Sequence, residues 1–111
     1  MEKVIVLSDV GLGGKDNALA LKMMRGLLKI LGQKQDWQPK AIFFLGEAVR
    51  LLAGEHDLLG LLSVLEGRGI ELLACRAAAE ELQLVGQLKI GKLSSTGTLV
   101  DLISNYEIIS L

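Results

Sequence analysis

The 111-residue sequence has little of several residue types, and each scarcity excludes a class of protein. A single cysteine excludes an internal disulfide and any all-cysteine metal site within one chain. The only histidine, His56, lies beside Glu55 and Asp57 without further spaced ligands, so we predict no metal site and a surface or helix-capping role. The formal net charge of −1 gives no electrostatic footprint for nucleic acid or an anionic membrane.

Long apolar runs are also missing, although half of the residues are hydrophobic. No run approaches the ~20 residues that span a bilayer, and the start of the sequence lacks the pattern of a secretion signal. We therefore expect a soluble, cytoplasmic protein that forms one domain over residues 1–111. A mean hydropathy of +0.44 is high for a small monomer, which predicts an apolar subunit interface and hence a homo-oligomer.

Apolar strand-like segments alternate with helical patterns along the chain. The strands are predicted over 3–7, 41–45 and 70–74, with a weaker strand over 88–93 and a last one over 107–111. The helices are predicted over 17–31, 48–53, 58–66, 76 to about 84, and 97–103. Asp16 and Asp57 are the predicted N-caps of the first and third helices, and Gly32 is the predicted end of the first. This alternation predicts an α/β fold with a largely parallel five-stranded sheet.

Cys75 stands where the third predicted strand runs into a helix. The carboxyl ends of parallel strands form the usual ligand crevice, and the start of a helix favours a thiolate. Arg76 would also favour the thiolate, whereas Glu80 and Glu81 would oppose it. On composition alone, however, a lone cysteine is most often a small buried apolar residue.

A glycine-rich segment, 8–16, follows the first strand and supplies a second candidate site. It lacks the glycine spacing of a P-loop and departs from the dinucleotide-binding pattern at Asp16, so no cofactor is predicted. Its N–H groups could still hold an anion, although such loops often only connect a strand to a helix. Glu47, after the second strand, is either a pocket carboxylate in the same crevice as Cys75 or a surface residue. The candidate pocket residues are Ser8, Asp9, Gly11, Gly13, Gly14, Gly46, Glu47 and Arg76.

Four segments carry a resemblance to a known family. They are VIVLSDVG at 4–11 with the glycine-rich turn after it, PKAIFFL at 39–45, LEGRGIELLAC at 65–75 and IGKLS at 90–94. Together they make the chain resemble, over nearly its whole length, the DsrE/DsrF-like sulfur-relay domains. The resemblance is greatest to the domain that follows a TusA-like domain in YedF-type proteins, which are linked by name to selenium metabolism.

The resemblance implies a three-layer α/β/α fold, assembly as a trimer or hexamer, and transfer of sulfur as a persulfide on a cysteine. Cys75 matches the first cysteine of a Cys-Gly-Thr-Cys-like pattern, Ala78 replaces the second, and Gly46 stands where an asparagine is common. The leading hypothesis is a sulfurtransferase-like carrier that uses Cys75 alone, with its donor and acceptor thiols on partner proteins. The alternatives are a non-catalytic oligomeric binding or scaffold module, and a small-molecule or anion binder that uses Gly11–Gly14.

Overall fold

The centre of the molecule is built from three apolar strands. A computed structural model describes residues 2–111, in which β1 (Lys3–Leu7), β2 (Ala41–Phe44) and β3 (Glu71–Cys75) lie side by side in parallel. All four residues of β2 are buried, as are the last four of both β1 and β3. Because successive side chains point to opposite faces, both faces of the sheet are covered, which explains the continuously apolar sequences.

Two outer strands complete the sheet at its edges. β4 (Lys92–Ser94) pairs with β3, and β5 (Glu107–Ser110) pairs with β1. The order across the sheet is β4-β3-β2-β1-β5, and every neighbouring pair is parallel. The predicted α/β class with a parallel five-stranded sheet is therefore confirmed.

Within residues 2–111, five helical segments connect the strands and form the layers that cover the sheet. They are α1 (Ala18–Gln33), a 3-10 helix (Gly46–Leu52), α2 (Leu59–Gly67), α3 (Arg76–Glu81) and α4 (Thr96–Asn105). α1 packs against α2 and buries Ala20, Met24, Leu28 and Leu31. α4 differs from the others, because none of its ten residues is buried.

The predicted ends of the first helix are wrong. Its N-cap is Asn17 rather than Asp16, because the Asn17 Oδ1 atom accepts a hydrogen bond of 2.9 Å from the Ala20 N–H. The helix also continues through Gly32 instead of ending there. A Cβ atom at Gly32 would lie 3.3 Å from Val64 Cγ1, so this glycine permits close packing of α1 on α2.

Asp57 does not cap α2 as predicted. Its carboxylate forms an ion pair with Arg25 of α1, so a contact with another element replaces the local cap. His56 takes over part of the capping role, because its Nδ1 atom accepts a hydrogen bond of 3.2 Å from the Leu58 N–H. The Nε2 atom of His56 lies 2.8 Å from the Leu51 carbonyl oxygen, which ties the start of α2 to the 3-10 helix.

α3 is shorter than predicted and ends at Glu81 instead of near Leu84. Gln83 adopts the left-handed conformation, with φ of 59°, that usually marks glycine after a helix. The Leu84 N–H donates to the Ala79 carbonyl at 2.7 Å, and the Gln83 N–H donates to the Glu80 carbonyl at 3.1 Å. This pair of bonds is a Schellman motif, and without a glycine it leaves no signal in the sequence.

Three other predicted elements differ from the structure by more than one residue at one end or both. The segment predicted as a helix over 48–53 is the 3-10 helix Gly46–Leu52, and the fourth strand is Lys92–Ser94 rather than 88–93. Residues 88 and 89 instead pair with the end of the 3-10 helix, where the Lys89 N–H donates to the Leu52 carbonyl at 2.8 Å. The predicted helix over 97–103 begins one residue earlier and ends two residues later, as Thr96–Asn105.

Candidate functional site

The predicted site residues lie along one edge of the sheet. Because all five strands are parallel, their carboxyl ends meet at the same edge. Ser8 follows β1, Gly46 follows β2 after one residue, and Cys75 is the last residue of β3. Cys75 is in register with Ser94 of β4, which continues this edge to the outer strand.

Cys75 forms the junction between β3 and α3. It is the N-cap residue of α3, but its side chain makes no capping hydrogen bond. Alternation along β3 places its thiol on the same face of the sheet as Leu73, and the residue is 8% exposed. The cysteine is therefore a nearly buried thiol at the margin of the core.

Two of the charged candidates, Arg76 and Glu47, are exposed. Arg76 begins α3 immediately after the cysteine. Glu47 lies in the first turn of the 3-10 helix, where its carboxylate accepts a hydrogen bond from Arg50 Nε. In the structure this carboxylate is thus neutralised by a neighbour on its own helix.

The glycine-rich loop connects β1, α1 and the end of β5. Its Leu12 N–H donates to the Ala20 carbonyl at 3.1 Å, and its Gly13 N–H donates to the Leu111 carbonyl at 3.3 Å. Gly11 is buried against α1, where an added Cβ atom would lie 2.5 Å from the Ala20 Cβ. Asp9 accepts a hydrogen bond of 2.7 Å from the next N–H of the chain and so stabilises the turn locally.

Three of the predicted residues line one cavity of about 460 Å³, which we call the loop cavity. Its lining consists of Ser8, Leu12, Gly13, Gly14, Met23, Ser110 and Leu111. Gly46 lies close to it, because a Cβ atom added there would be 3.4 Å from the Ser8 carbonyl oxygen. Cys75 and Arg76 do not line this cavity, and β2 separates their strand from β1.

Sequence reasoning missed Met23, Ser110 and Leu111 as members of the loop cavity. Met23 is apolar and lies on a helix, so its sequence pattern suggested a place in the core. Ser110 and Leu111 become part of the lining because β5 pairs with β1, which places Ser110 in register with Val6. No local pattern in the sequence predicts that pairing.

Two further features bear on the kind of site. Within residues 2–111 no group of three or more histidine, cysteine, aspartate or glutamate side chains is placed to hold a metal ion. In the same part of the chain, no helix combines the length and the apolar character needed to cross a membrane.

Comparison with known proteins identifies the fold. No family model and no curated protein matches the sequence. The solved structures that match include two that do so over the full length of both chains. They are the YchN protein of E. coli, with a TM-score of 0.74 and 11% identity, and MTH1491 of Methanobacterium thermoautotrophicum, a protein of unknown function, with a TM-score of 0.72 and 16% identity. Both are DsrE-like fold proteins, and at these identities the likeness concerns the fold alone. The chain therefore shares the fold of these two proteins, and its single cysteine lies at the carboxyl end of the third strand.

Proposed function

We propose that the protein is a sulfur carrier that relays sulfane sulfur as a persulfide on Cys75. The observation that carries this proposal is the position of Cys75, at the point where β3 of a DsrE-like sheet runs directly into α3. In open parallel sheets, ligands bind outside the carboxyl ends of the strands. The sulfur-relay activity implied by the sequence resemblance requires a thiol in that place.

The transfer requires one thiol on this chain and one on each partner. The Cys75 thiolate attacks the outer sulfur of a donor persulfide, forms a new S–S bond and releases the donor as a thiolate. The acceptor thiolate then attacks the outer sulfur on Cys75 in the same way and regenerates the cysteine. Neither step needs an external oxidant, so the presence of Ala78 instead of a second cysteine does not prevent the cycle.

We expect one sulfur atom to be added to Cys75 when the protein is incubated with a small-molecule persulfide donor. Intact-protein mass spectrometry measures the addition, and peptide mapping locates it. Cys75→Ser should abolish the addition completely, while Ser94→Ala, beside it in the sheet, should retain it. If the wild type gains no sulfur, or if Cys75→Ser gains as much as the wild type, the carrier function is wrong.

The burial of Cys75 favours a second candidate, a non-catalytic oligomeric binding module of the same fold. In that case the thiol is a core residue, and its exposed fraction of 8% reflects packing alone. The rate of labelling by a thiol reagent separates the two functions. A carrier is labelled in the native state within minutes, whereas a core thiol reacts only as fast as the protein unfolds.

We further propose that α4 forms a homo-oligomeric interface, in a trimer or hexamer as the sequence resemblance implies. α4 has apolar residues on both sides: Leu99 and Leu102 pack against the core, whereas Val100 and Ile103 are 54% and 55% exposed. An apolar outer face on a surface helix is typical of a subunit contact.

Replacing Val100 and Ile103 together with glutamate is expected to dissociate the oligomer, because burying two carboxylates without partners costs several kcal/mol. Sedimentation velocity at micromolar concentration should show an oligomer for the wild type and a monomer for the double variant. Asp101→Asn, on an exposed position of the same helix, is the control and should leave the oligomer intact. A wild type that sediments as a monomer would refute the interface.

A further inference from the structure

We propose that the loop cavity and the groove that extends from it bind an amphiphilic carboxylate, a small molecule with an apolar body and one anionic end. This site does not include Cys75 and does not depend on sulfur transfer. Four observations support it: the position of the cavity in the sheet, its continuation along α1, the apolar side chains that it leaves exposed, and the charge at its far end.

The first observation is the position of the cavity at the point where the strand order reverses. From β1 the chain proceeds outward through β2, β3 and β4 on one side, whereas β5 lies on the other side of β1. In open α/β sheets, ligands bind outside the carboxyl ends of the strands at this reversal. The loop cavity lies there, with Ser8 just after β1 and Ser110 at the end of β5.

The second observation is that the loop cavity continues into a groove along the start of α1. A neighbouring cavity of about 220 Å³ is lined in part by Leu12, Gly13 and Met23, which also line the loop cavity. The shared residues make one elongated depression from the end of β5 to the first turn of α1. Its loop-cavity part, at about 460 Å³, is within the range of ~300–1,000 Å³ found for small-molecule sites.

The third observation is the apolar character of this depression. Met23 is 50% exposed and Leu19, in the neighbouring cavity, is 67% exposed. Leu12 and Leu111 add further apolar residues to the lining, and Ser8 and Ser110 are its hydroxyl-bearing residues. Covering exposed apolar area removes it from water and so stabilises a complex, which makes an aliphatic body the natural occupant.

The fourth observation is the charge at the α1 end of the groove. Lys15 lines the neighbouring cavity, and within residues 2–111 its ammonium group takes part in no ion pair. The Lys15 backbone is fixed by a bridge to Gly11, so the side chain starts from a defined position. An apolar groove that ends at an unpaired cation is complementary to a carboxylate with an aliphatic tail.

Octanoate is a suitable probe, and its binding can be followed by two-dimensional NMR of the wild-type protein below the micellar concentration. We expect saturable shifts of the Gly13, Gly14 and Ser110 amides. Octan-1-ol should produce the same shifts with weaker affinity, and acetate should produce none. If octanoate causes no saturable shift, or if the shifts map to another surface, the proposal is wrong.

Two variants test the roles assigned to the groove. Lys15→Ala should weaken octanoate binding about fivefold, which is the effect of losing one exposed ion pair. The affinity for octan-1-ol, which has no charge, should not change. Met23→Asp should weaken the binding of octanoate and of octan-1-ol by at least about tenfold, because a carboxylate then faces the aliphatic tail. Lys22→Ala, a neighbouring exposed cation outside both cavities, is the matched control and should bind like the wild type.

The same experiment distinguishes a ligand from a second copy of the chain as the occupant. If the Gly13 and Gly14 amides shift on dilution without ligand, and octanoate does not compete, the groove is a subunit contact and the proposal is overturned. An equal octanoate affinity for Lys15→Ala and the wild type would also overturn the assignment of the anionic end. Neither result bears on Cys75, so the carrier function stands or fails separately.

Discussion

Replacing Gly11 with alanine is expected to lower the free energy of unfolding by about 3 kcal/mol or more. An added Cβ atom would lie 2.4 Å from the Lys15 carbonyl oxygen and 2.5 Å from the Ala20 Cβ. These neighbours belong to a loop backbone and to a helix, so they cannot move aside as the tip of a flexible side chain does. Overpacking of a core typically costs about 1–3 kcal/mol, and two rigid contacts place this site at the upper end.

Urea unfolding of Gly11→Ala and Gly26→Ala gives a direct comparison. Gly26 lies in the middle of α1, and an added Cβ atom there meets nothing within 4 Å. Alanine is favoured over glycine in a helix by about 1 kcal/mol, so this control should be more stable than the wild type. A Gly11→Ala protein within about 1 kcal/mol of the wild type would contradict the packing described for the loop.

Phe43→Ala is expected to destabilise the protein by about 3–5 kcal/mol, the usual cost of deleting a large side chain from a well-packed core. Phe43 is fully buried in β2, the central strand, and is in register with Val6 on one side and Leu73 on the other. Both neighbours belong to strands that are hydrogen-bonded to β2. This pairing limits how far they can move to fill the cavity that the substitution leaves.

Ile109→Ala on β5 is the matched control for this deletion. Ile109 is only partly buried, and β5 is an outer strand with a single partner. The loss in free energy of unfolding should therefore be about half that of Phe43→Ala or less. Urea unfolding again measures both. Equal losses at the two positions would mean that the core is not centred on β2.

The sequence predicted the central strands well because burial on both faces leaves a strong local signal. Continuous apolar segments alone predict β1 with its observed ends, and β2 and β3 to within one residue. β4 was displaced, because only three residues of that outer strand pair with the sheet and none of them is buried. Apolar residues just before it pack near the 3-10 helix instead, and they produced a strand-like pattern outside the strand.

Helix ends were predicted less well because nearby polar residues compete for the same role. Asp16 and Asn17 can both cap a helix, and only the backbone geometry selects Asn17. Asp57 is a good capping residue by type, yet its carboxylate pairs with Arg25, which is far away in the sequence. Such choices depend on contacts between elements, which a local pattern does not contain.

The candidate site was predictable in its parts but not in its grouping. The cysteine at a strand–helix junction and the glycine-rich loop after β1 were both visible in the sequence. The sequence does not show that β2 separates the cysteine from this loop, because that separation depends on the order of the strands across the sheet. The same order brings Ser110 beside Ser8 and so creates a cavity whose two sides are almost a full chain length apart.

The pairing of β1 with β5 also has a consequence for the order of folding. On one side β1 pairs with β2, which follows it by about forty residues in the chain. The other edge of β1 stays unpaired until β5 has been synthesised. Pairing of such distant segments is slow, and an unpaired apolar strand edge favours association with other chains. During synthesis, the growing chain therefore carries an exposed edge on β1 until almost the whole sheet has been made.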